Sequence, residues 1–155
     1  MTTQPPWQAT SLAYHAAQQC SHQWHDFMRV LVEELLGSAG DDEGLAFMSH
    51  LGASLAARHR LPESQTVETL ESHINARWRD MNWGWCRLKP TETGILIEHG
   101  AWPEVLTDGD RWPHALSSFL EGAYGRWLRE QGGGAVTVRC INATRGAPLE
   151  LLYGI

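Results

Sequence analysis

The segment MNWGWCRLK, residues 81–89, is where the periodicity of the sequence changes. Upstream of it, apolar residues recur at intervals of about 3.6 residues, which predicts helices. Within it and downstream, apolar and polar residues alternate, which predicts β-strands. In this first strand Trp83, Trp85 and Arg87 share one face, and the intervening residues share the other. We therefore expect Arg87 to lie beside the two indoles, within reach of a cation–π contact.

Three amphipathic helices are predicted upstream of this change. The first spans about residues 9–36, and the third begins near Ser64. The second begins at Asp41 and ends before Pro62. The apolar face of the first helix is expected to point into the protein and consists of Trp24, Phe27, Met28, Leu31 and Leu35. Residues 1–8 precede these helices and are predicted to form an extended arm.

Downstream of the change, two predicted hairpins flank a helix. The first strand is followed by GILIEHG, residues 94–100, and the two are predicted to pair as a β-hairpin. A fourth helix is predicted over residues 113–134, and strands over residues 135–141 and 148–154 form a second hairpin. This order predicts one α+β domain over residues 1–155, with an N-terminal layer of three helices and a mostly antiparallel sheet.

Glycine and tryptophan occupy informative positions in this chain. Gly122 and Gly125 lie inside the fourth predicted helix, where each costs about 1 kcal/mol relative to alanine, so another element is expected to approach that helix closely. Of the eight tryptophans, three lie on predicted inner faces and are expected in the core: Trp24, Trp78 and Trp127. Three others lie outside the predicted helices and strands and are candidates for an interface or a ligand site: Trp7, Trp102 and Trp112.

Bulk composition argues against several classes of function. The 155 residues carry 12 Lys and Arg against 18 Asp and Glu, a net charge of -6, which argues against a nucleic-acid partner. No apolar run approaches the ~20 residues of a membrane span, and residues 1–10 lack the pattern of a signal peptide. We therefore expect a protein that is not membrane-inserted and is cytoplasmic, with the periplasm as the alternative. The three separated cysteines predict neither a disulfide framework nor a zinc site.

The sequence contains no familiar catalytic motif, neither a Gly-x-Ser-x-Gly elbow nor a phosphate-binding loop after a strand. We therefore predict no catalytic residue, no enzyme activity and no cofactor, although a hydrolase site assembled by tertiary contacts stays open. His15, His22 and His25 follow a helical register near Cys20, so the alternative function is a metal-binding or small-molecule sensor domain that uses this face. A solvated helix face is the simpler interpretation, because no metal-binding motif accompanies these histidines.

Two stretches, MNWGWCRLK and FLEGAYGRW, together resemble the D-subunit family of bacterial cellulose synthase complexes, in which an N-W-G-aromatic motif precedes an L-E-G-x-Y-G-R-W helix. The matching residues are Asn82, Trp83, Gly84 and Trp85, followed by Leu120, Glu121, Gly122, Tyr124, Gly125, Arg126 and Trp127. The resemblance spans roughly residues 24–153. Within the first motif, Trp83 and Trp85 are expected to anchor the helices to the sheet, with Gly84 letting another backbone approach.

The resemblance implies a non-catalytic accessory protein of bacterial cellulose secretion and biofilm formation, whose copies form a ring-like octamer built from dimers. This ring would organise cellulose synthase complexes with other cellulose-secretion subunits, or guide β-1,4-glucan chains through passageways for ordered secretion and crystallisation. In the family, the N-terminal arm contributes to the lining of the passageways. Thr3, Gln4 and Trp7 are therefore the glucan-binding candidates, since hydroxyl and amide groups suit sugar hydroxyls and an indole suits a sugar ring face.

Overall fold

The structure is a computed structural model that describes residues 6–38, 40–135 and 137–154. Within these residues the elements are α1 (Pro6–Gln18), α2 (His22–Ser38), α3 (Asp41–Arg58), α4 (Val67–Met81), β1 (Trp85–Pro90), β2 (Gly94–Gly100), α5 (Arg111–Leu128), β3 (Val138–Asn142) and β4 (Leu149–Gly154). A π-helical turn, Arg129–Gly133, prolongs α5. The predicted α+β class, with helices first and then a hairpin, a helix and a hairpin, is confirmed.

The prediction of one continuous helix over about residues 9–36 is wrong, because the chain forms α1 and α2 with a break between them. The carbonyl oxygen of Ser21 accepts hydrogen bonds from the backbone N–H groups of Trp24 (2.9 Å) and His25 (3.0 Å), so α2 starts there. Serine is favoured at such a helix start. The extended arm predicted for residues 1–8 is wrong for its last part, since α1 already begins at Pro6; residues 1–5 lie outside the described residues.

Helix α4 follows its sequence pattern closely. Thr66 caps its first turn, because the Thr66 hydroxyl accepts a hydrogen bond of 3.1 Å from the backbone N–H of Thr69. The helix ends at Asn82, which adopts the left-handed conformation with φ 56° and ψ 44°. Leu70, Ile74 and Trp78 are buried at spacings of four residues. The core position predicted for Trp78 on this helix is therefore confirmed, and the helix leads into the first motif at the edge of the sheet.

Helices α3 and α5 cross at two glycines, and this contact forms the centre of the helical layer. A Cβ atom added to Gly52 would overlap the carbonyl oxygen of Phe119, and one added to Gly122 would overlap the carbonyl oxygen of Ser49. The two pairs show that the helices run antiparallel and that their backbones touch. The close approach expected at Gly122 is confirmed. The one expected at Gly125 is wrong, because no heavy atom lies within 4 Å of a Cβ placed there.

The strands of the described residues form one antiparallel sheet in the order β1-β2-β4-β3. Its inner face packs on the helices and buries Cys86 and Leu88 of β1. Trp85 and Arg87 lie on the outer face, where the Cζ atom of Arg87 lies 5.9 Å from the centroid of the Trp85 ring. The alternation predicted for this strand is confirmed from Trp85 onward, and so is the contact of Arg87 with an indole.

Side chains of α4 occupy the free edge of the sheet at β1. The Asn75 side chain accepts a hydrogen bond of 2.7 Å from the backbone N–H of Cys86 and donates one of 2.9 Å to its carbonyl oxygen. Glu71 accepts a hydrogen bond of 2.8 Å from the backbone N–H of Leu88. Pro90, at the end of the strand, has no N–H to offer. The polar backbone groups that an edge strand normally exposes are thus partly satisfied by the helix.

The opposite edge strand, β3, is held in a similar way by α5. Glu121 accepts at Oε1 a hydrogen bond of 2.8 Å from the backbone N–H of Cys140. The pairing of β3 with β4 is irregular between Cys140 and Asn142. The carboxylate therefore supports the strand where its own ladder is interrupted.

Candidate functional site

The two motifs meet in the core around His99, a residue that the sequence does not single out. The imidazole of His99 lies 2.8 Å from the carbonyl oxygen of Trp83 through Nε2 and 2.7 Å from the hydroxyl of Tyr124 through Nδ1. A carbonyl oxygen only accepts hydrogen bonds, so Nε2 carries the proton and Nδ1 accepts from the Tyr124 hydroxyl. That hydroxyl in turn accepts from the Trp78 indole N–H at 3.0 Å. These four residues form a hydrogen-bonded centre that joins α4, the first motif, β2 and α5.

The groups of this centre are neutral near pH 7. Burial lowers the pKa of His99 to about 4, against the smaller opposing effect of its hydrogen bond to the Trp83 carbonyl. Burial also raises the pKa of Tyr124 well above its usual range and that of the neighbouring Cys86 to about 12. Groups with such pKa values exchange no protons near neutral pH. The centre therefore supports the fold, and its geometry favours no acid–base chemistry.

The remaining residues of the first motif set the junction between α4 and β1. Trp83 stacks on Trp78 with a centroid distance of 6.2 Å and an interplanar angle of 18°, as expected for a packing anchor. Gly84 has φ 90°, and a Cβ there would overlap the Gly100 carbonyl oxygen, so the expected close backbone approach is confirmed. Trp85 does not anchor the helices to the sheet, because its ring lies on the outer face and is 40% exposed.

The second motif fixes α5 to three neighbouring elements. Leu120 is buried, Glu121 supports β3 and Gly122 contacts α3. The indole N–H of Trp127 donates a hydrogen bond of 3.0 Å to the carbonyl oxygen of His59, where α3 ends. Arg126 pairs with Glu130 on the surface at 2.6 Å, and Gly125 borders a shallow groove of about 180 Å³. These motif residues build the fold and line no deep cavity.

Three tryptophans do not lie where the sequence places them. Trp102 and Trp112 are buried, and their indole N–H groups donate to the carbonyl oxygens of Ala147 (3.2 Å) and Pro103 (2.8 Å). The segment before α5 folds over the core and buries both side chains. The interface or ligand role considered for them is therefore wrong. Trp24 is 56% exposed, so its predicted core position is wrong.

The glucan-binding candidates fall largely outside the described part of the chain. Thr3 and Gln4 lie outside the described residues. Trp7 lies in α1, but its side chain is outside what the structure describes.

Helices α2 and α3 carry a set of exposed apolar side chains, which we call the outer helical face. It consists of Trp24, Phe27, Val30 and Leu31 on α2 and Phe47 and Leu51 on α3, and α1 also exposes Leu12 and Tyr14. On α2, Val32 and Leu36 are buried in the core, and Met28 and Leu35 of the predicted inner face pack against it, whereas Trp24, Phe27 and Leu31 do not. The rings of Trp24 and Phe27 contact each other edge to face at 6.0 Å. Exposed apolar sets of this kind mark surfaces that bind another molecule.

Helix α1 packs only sparsely within the described part of the chain. It has 13 residues, and among the residues described it makes no extended contact with another element. Helices of this length are marginally stable in water unless they pack against something. A molecule that covers the outer helical face would supply the missing contact.

The histidines considered for a metal site do not form one. His15 and His22 are exposed on different helices, because the helical conformation is interrupted between α1 and α2. His25 accepts at Nε2 a hydrogen bond of 3.1 Å from the backbone N–H of Leu106 and lies 3.4 Å from Asp26 through Nδ1. Throughout residues 6–38, 40–135 and 137–154, no three His, Cys, Asp or Glu side chains lie close enough to hold a metal ion.

In the same part of the chain, every helix is too short or too polar to cross a lipid bilayer.

Comparison with known sequences gives one consistent result. Residues 10–154 match the sequence model of a family described as the D subunit of cellulose synthase. A cellulose synthase operon protein D from Komagataeibacter xylinus is 30% identical over 109 residues, which cover 69% of this chain and 70% of that protein. The protein of the same name from Komagataeibacter sucrofermentans has the same identity and coverage, and another from K. xylinus is 28% identical over 109 residues. The region matched by the family model contains both motifs.

Proposed function

Because this chain belongs to the D-subunit family of cellulose synthase, as its two motifs predict, we propose that it serves bacterial cellulose biosynthesis as a non-catalytic accessory protein whose copies assemble through the outer helical face. The observation that carries this proposal is the exposure of Trp24 and Phe27 on α2, which we call the aromatic stripe. A stripe that follows a helical period but does not enter its own core is explained by a partner that covers it.

The composition of the outer helical face supports a second copy of the chain as that partner. Trp24 and Phe27 are of the residue types enriched at the centres of protein interfaces. The face residues of α2 are apolar, so two copies can bury them against each other in a self-complementary contact. Such an interface would also pack α1, which lacks an extended contact with the other described elements.

We extend the proposal to the architecture that the resemblance implies. Dimers formed through the outer helical face associate into a ring-like octamer, which organises cellulose synthase complexes and guides β-1,4-glucan chains toward ordered secretion. The N-terminal residues Thr3, Gln4 and Trp7 contact the glucan in this arrangement. The ring lies on the cytoplasmic side, near the inner membrane, and a periplasmic location is the alternative.

The proposal is tested by removing the aromatic stripe without touching the core. The double variant Trp24→Ser/Phe27→Ser is compared with Ile141→Ser, which removes an exposed apolar side chain of β3. Light scattering behind a sizing column should show a closed oligomer for the wild type and for Ile141→Ser, and dissociation of the double variant with unchanged circular dichroism.

The same variants are then expressed in a cellulose-producing host that lacks this protein. The double variant should fail to restore fibre crystallinity and synthase alignment, whereas Ile141→Ser should restore both. A wild-type protein that is strictly monomeric at micromolar concentration would contradict the proposed assembly. Normal crystallinity in the host without the protein would contradict the proposed role in secretion.

A further inference from the structure

A surface groove of about 400 Å³ opens where α4, β1 and the segment after β2 meet. Arg79 and Asn82 line it from the end of α4, Trp85 from the start of β1, Ala101 from the segment after β2 and Gln19 from the junction of α1 and α2. It lies at the free edge of the sheet, beside the exposed ring of Trp85. The motif tryptophan that does not serve packing thus borders this groove.

The indole of Trp85 is held flat by a glycine. Trp85 and Gly100 are paired across β1 and β2, and a Cβ on Gly100 would overlap the six-membered part of the ring. One ring face therefore rests on the Gly100 backbone, and the other is left to solvent and to Arg87. The ring is presented in a fixed orientation at little cost in side-chain freedom, which favours binding.

The Trp85 indole also differs from the buried tryptophans in its hydrogen bonding. Trp78, Trp102, Trp112 and Trp127 each donate the indole N–H to a protein acceptor. Among the described residues, no acceptor lies within hydrogen-bond distance of the Trp85 N–H. A half-exposed indole with an available donor suits a ligand that has both an apolar ring face and hydroxyl groups.

Polar side chains next to the ring are likewise available. In the described part of the chain, the side chains of Arg79 and Asn82 make no hydrogen bond or ion pair, whereas Asn75, one turn of α4 earlier, is committed to the backbone of β1. A guanidinium and an amide provide several donors and one acceptor beside the indole face. This combination of one flat apolar surface and a few polar groups is typical of small-ligand sites.

The backbone around the groove adopts uncommon conformations. Gly84 and Ala101, with φ values of 90° and 52°, line it together with Asn82, whose left-handed conformation ends α4. A left-handed alanine is uncommon, because its Cβ crowds the following carbonyl. Backbone strain of this kind concentrates at ligand sites, where the surrounding structure holds it in place.

We propose that this groove binds a β-1,4-glucan chain, with one glucose ring stacked on the Trp85 face opposite Gly100, where it displaces the Arg87 guanidinium, and its hydroxyl groups bonded by Asn82 and Arg79. The equatorial hydroxyls of a β-linked glucose leave both ring faces apolar, which matches a flat indole bordered by planar donors. The choice of a β-1,4-linked glucan rests on the proposed role in cellulose biosynthesis. The site is distinct from the N-terminal candidates and lies on a rigid strand.

The inference is tested by isothermal titration calorimetry of cellohexaose into the full-length protein. Trp85→Ala should weaken binding by roughly tenfold or more, because the stacking surface is lost, whereas Trp85→Phe should keep most of the affinity. Asn82→Gly, which preserves the left-handed conformation and removes only the amide, should weaken binding severalfold. Ile141→Ala, an exposed apolar residue on the opposite edge strand, is the matched control and should bind like the wild type.

Three results would overturn the inference: no binding by the wild type at millimolar cellohexaose, equal binding by Trp85→Ala, or equal binding of the α-1,4-linked maltohexaose.

Light scattering on the same samples separates the glucan site from the proposed assembly. If Trp85→Ala dissociates the oligomer, Trp85 belongs to an interface between copies and the glucan site is wrong, while assembly stands. If Trp24→Ser/Phe27→Ser is monomeric yet binds cellohexaose, the groove and the outer helical face act independently, as inferred. A wild type that binds cellohexaose but does not assemble would contradict the proposed assembly and leave the glucan site standing.

Discussion

The crossing of α3 and α5 and the outer helical face are both apolar helical surfaces, but only the crossing is closed within the chain. At the crossing, glycines let two backbones touch, and no side chain could be added without overlap. On the outer helical face, the rings of Trp24 and Phe27 are more than half exposed. The difference indicates that one set of residues folds the chain and a separate set joins copies of it. Substitutions should therefore divide into those that unfold the protein and those that only dissociate it.

The largest effect is expected from Gly122→Ala, which adds a methyl group at the crossing. The new Cβ would overlap the Ser49 carbonyl oxygen, which is backbone and cannot swing aside. The helices must separate, so the free energy of unfolding should fall by about 4 kcal/mol or more. Urea denaturation followed by circular dichroism measures this loss. A variant as stable as the wild type would show that the two backbones are not in contact.

Acidification should lower the free energy of unfolding mainly through the core, because His99 is buried there as the neutral imidazole. Its pKa in the folded protein is about 4, against 6.5 for an ordinary histidine, so the unfolded chain binds the extra proton first. Stability is fully present above pH 6.5 and should fall by about 3 kcal/mol as the pH drops to 4. Denaturation at a series of pH values measures the slope.

The matched variant for the pH experiment is His99→Gln. It should be less stable than the wild type at pH 7, because the centre loses a partner, but it should lose the histidine contribution to the slope between pH 6.5 and 4. Any slope that both proteins share then belongs to the carboxylates. Identical pH dependence in the two proteins would refute the role assigned to His99.

Two leucines of α2 allow the comparison within one helix. Leu36 is 5% exposed and Leu31 is 45% exposed. In the dissociated Trp24→Ser/Phe27→Ser background, Leu36→Ala should lower the free energy of unfolding by about 2 kcal/mol and Leu31→Ala by less than about 0.5 kcal/mol. In the otherwise wild-type chain, Leu31→Ala should instead weaken association, as measured by sedimentation velocity. Equal losses of stability would mean that the outer helical face is part of the core.

A small gain in stability is expected from Gly125→Ala, three residues from Gly122 on the same helix. An added Cβ meets no heavy atom within 4 Å, and the helix is relieved of a residue with low helix propensity. The free energy of unfolding should rise by about 0.5–1 kcal/mol, measured as for Gly122→Ala. A loss at this position would show that something approaches the helix there, most simply a second copy.

Sequence patterns predict the order of elements well but not what lies opposite each apolar face. The alternation around Trp85 predicts the correct faces of β1, because a strand has only two sides. Trp24 and Phe27, three residues apart, and Ile74 and Trp78, four residues apart, both follow a helical period, although only the second pair enters the core. Periodicity shows that a helix has an apolar face. It contains no information on whether that face packs against the same chain or against another molecule.

The hydrogen-bonded centre is not predicted from the sequence because its key residue looks ordinary there. His99 follows Ile95 and Ile97 at every second position of β2, which places it on the inner face. That alternation is the available signal, because a polar group on an inner face requires buried partners. Its partners, Tyr124 and the Trp83 carbonyl, lie in segments whose meeting only tertiary structure reveals.

The engagement of both sheet edges has a consequence for how copies of this protein can aggregate. The side chains of Asn75 and Glu71 form hydrogen bonds with the backbone of β1, and the side chain of Glu121 forms one with the backbone of β3. Edge strands engaged in this way offer a poor template for a further strand, so open-ended growth into amyloid-like filaments is disfavoured. Association through helices can close on itself and stop at a finite size. A protein proposed to order an insoluble fibre is thereby kept from becoming one.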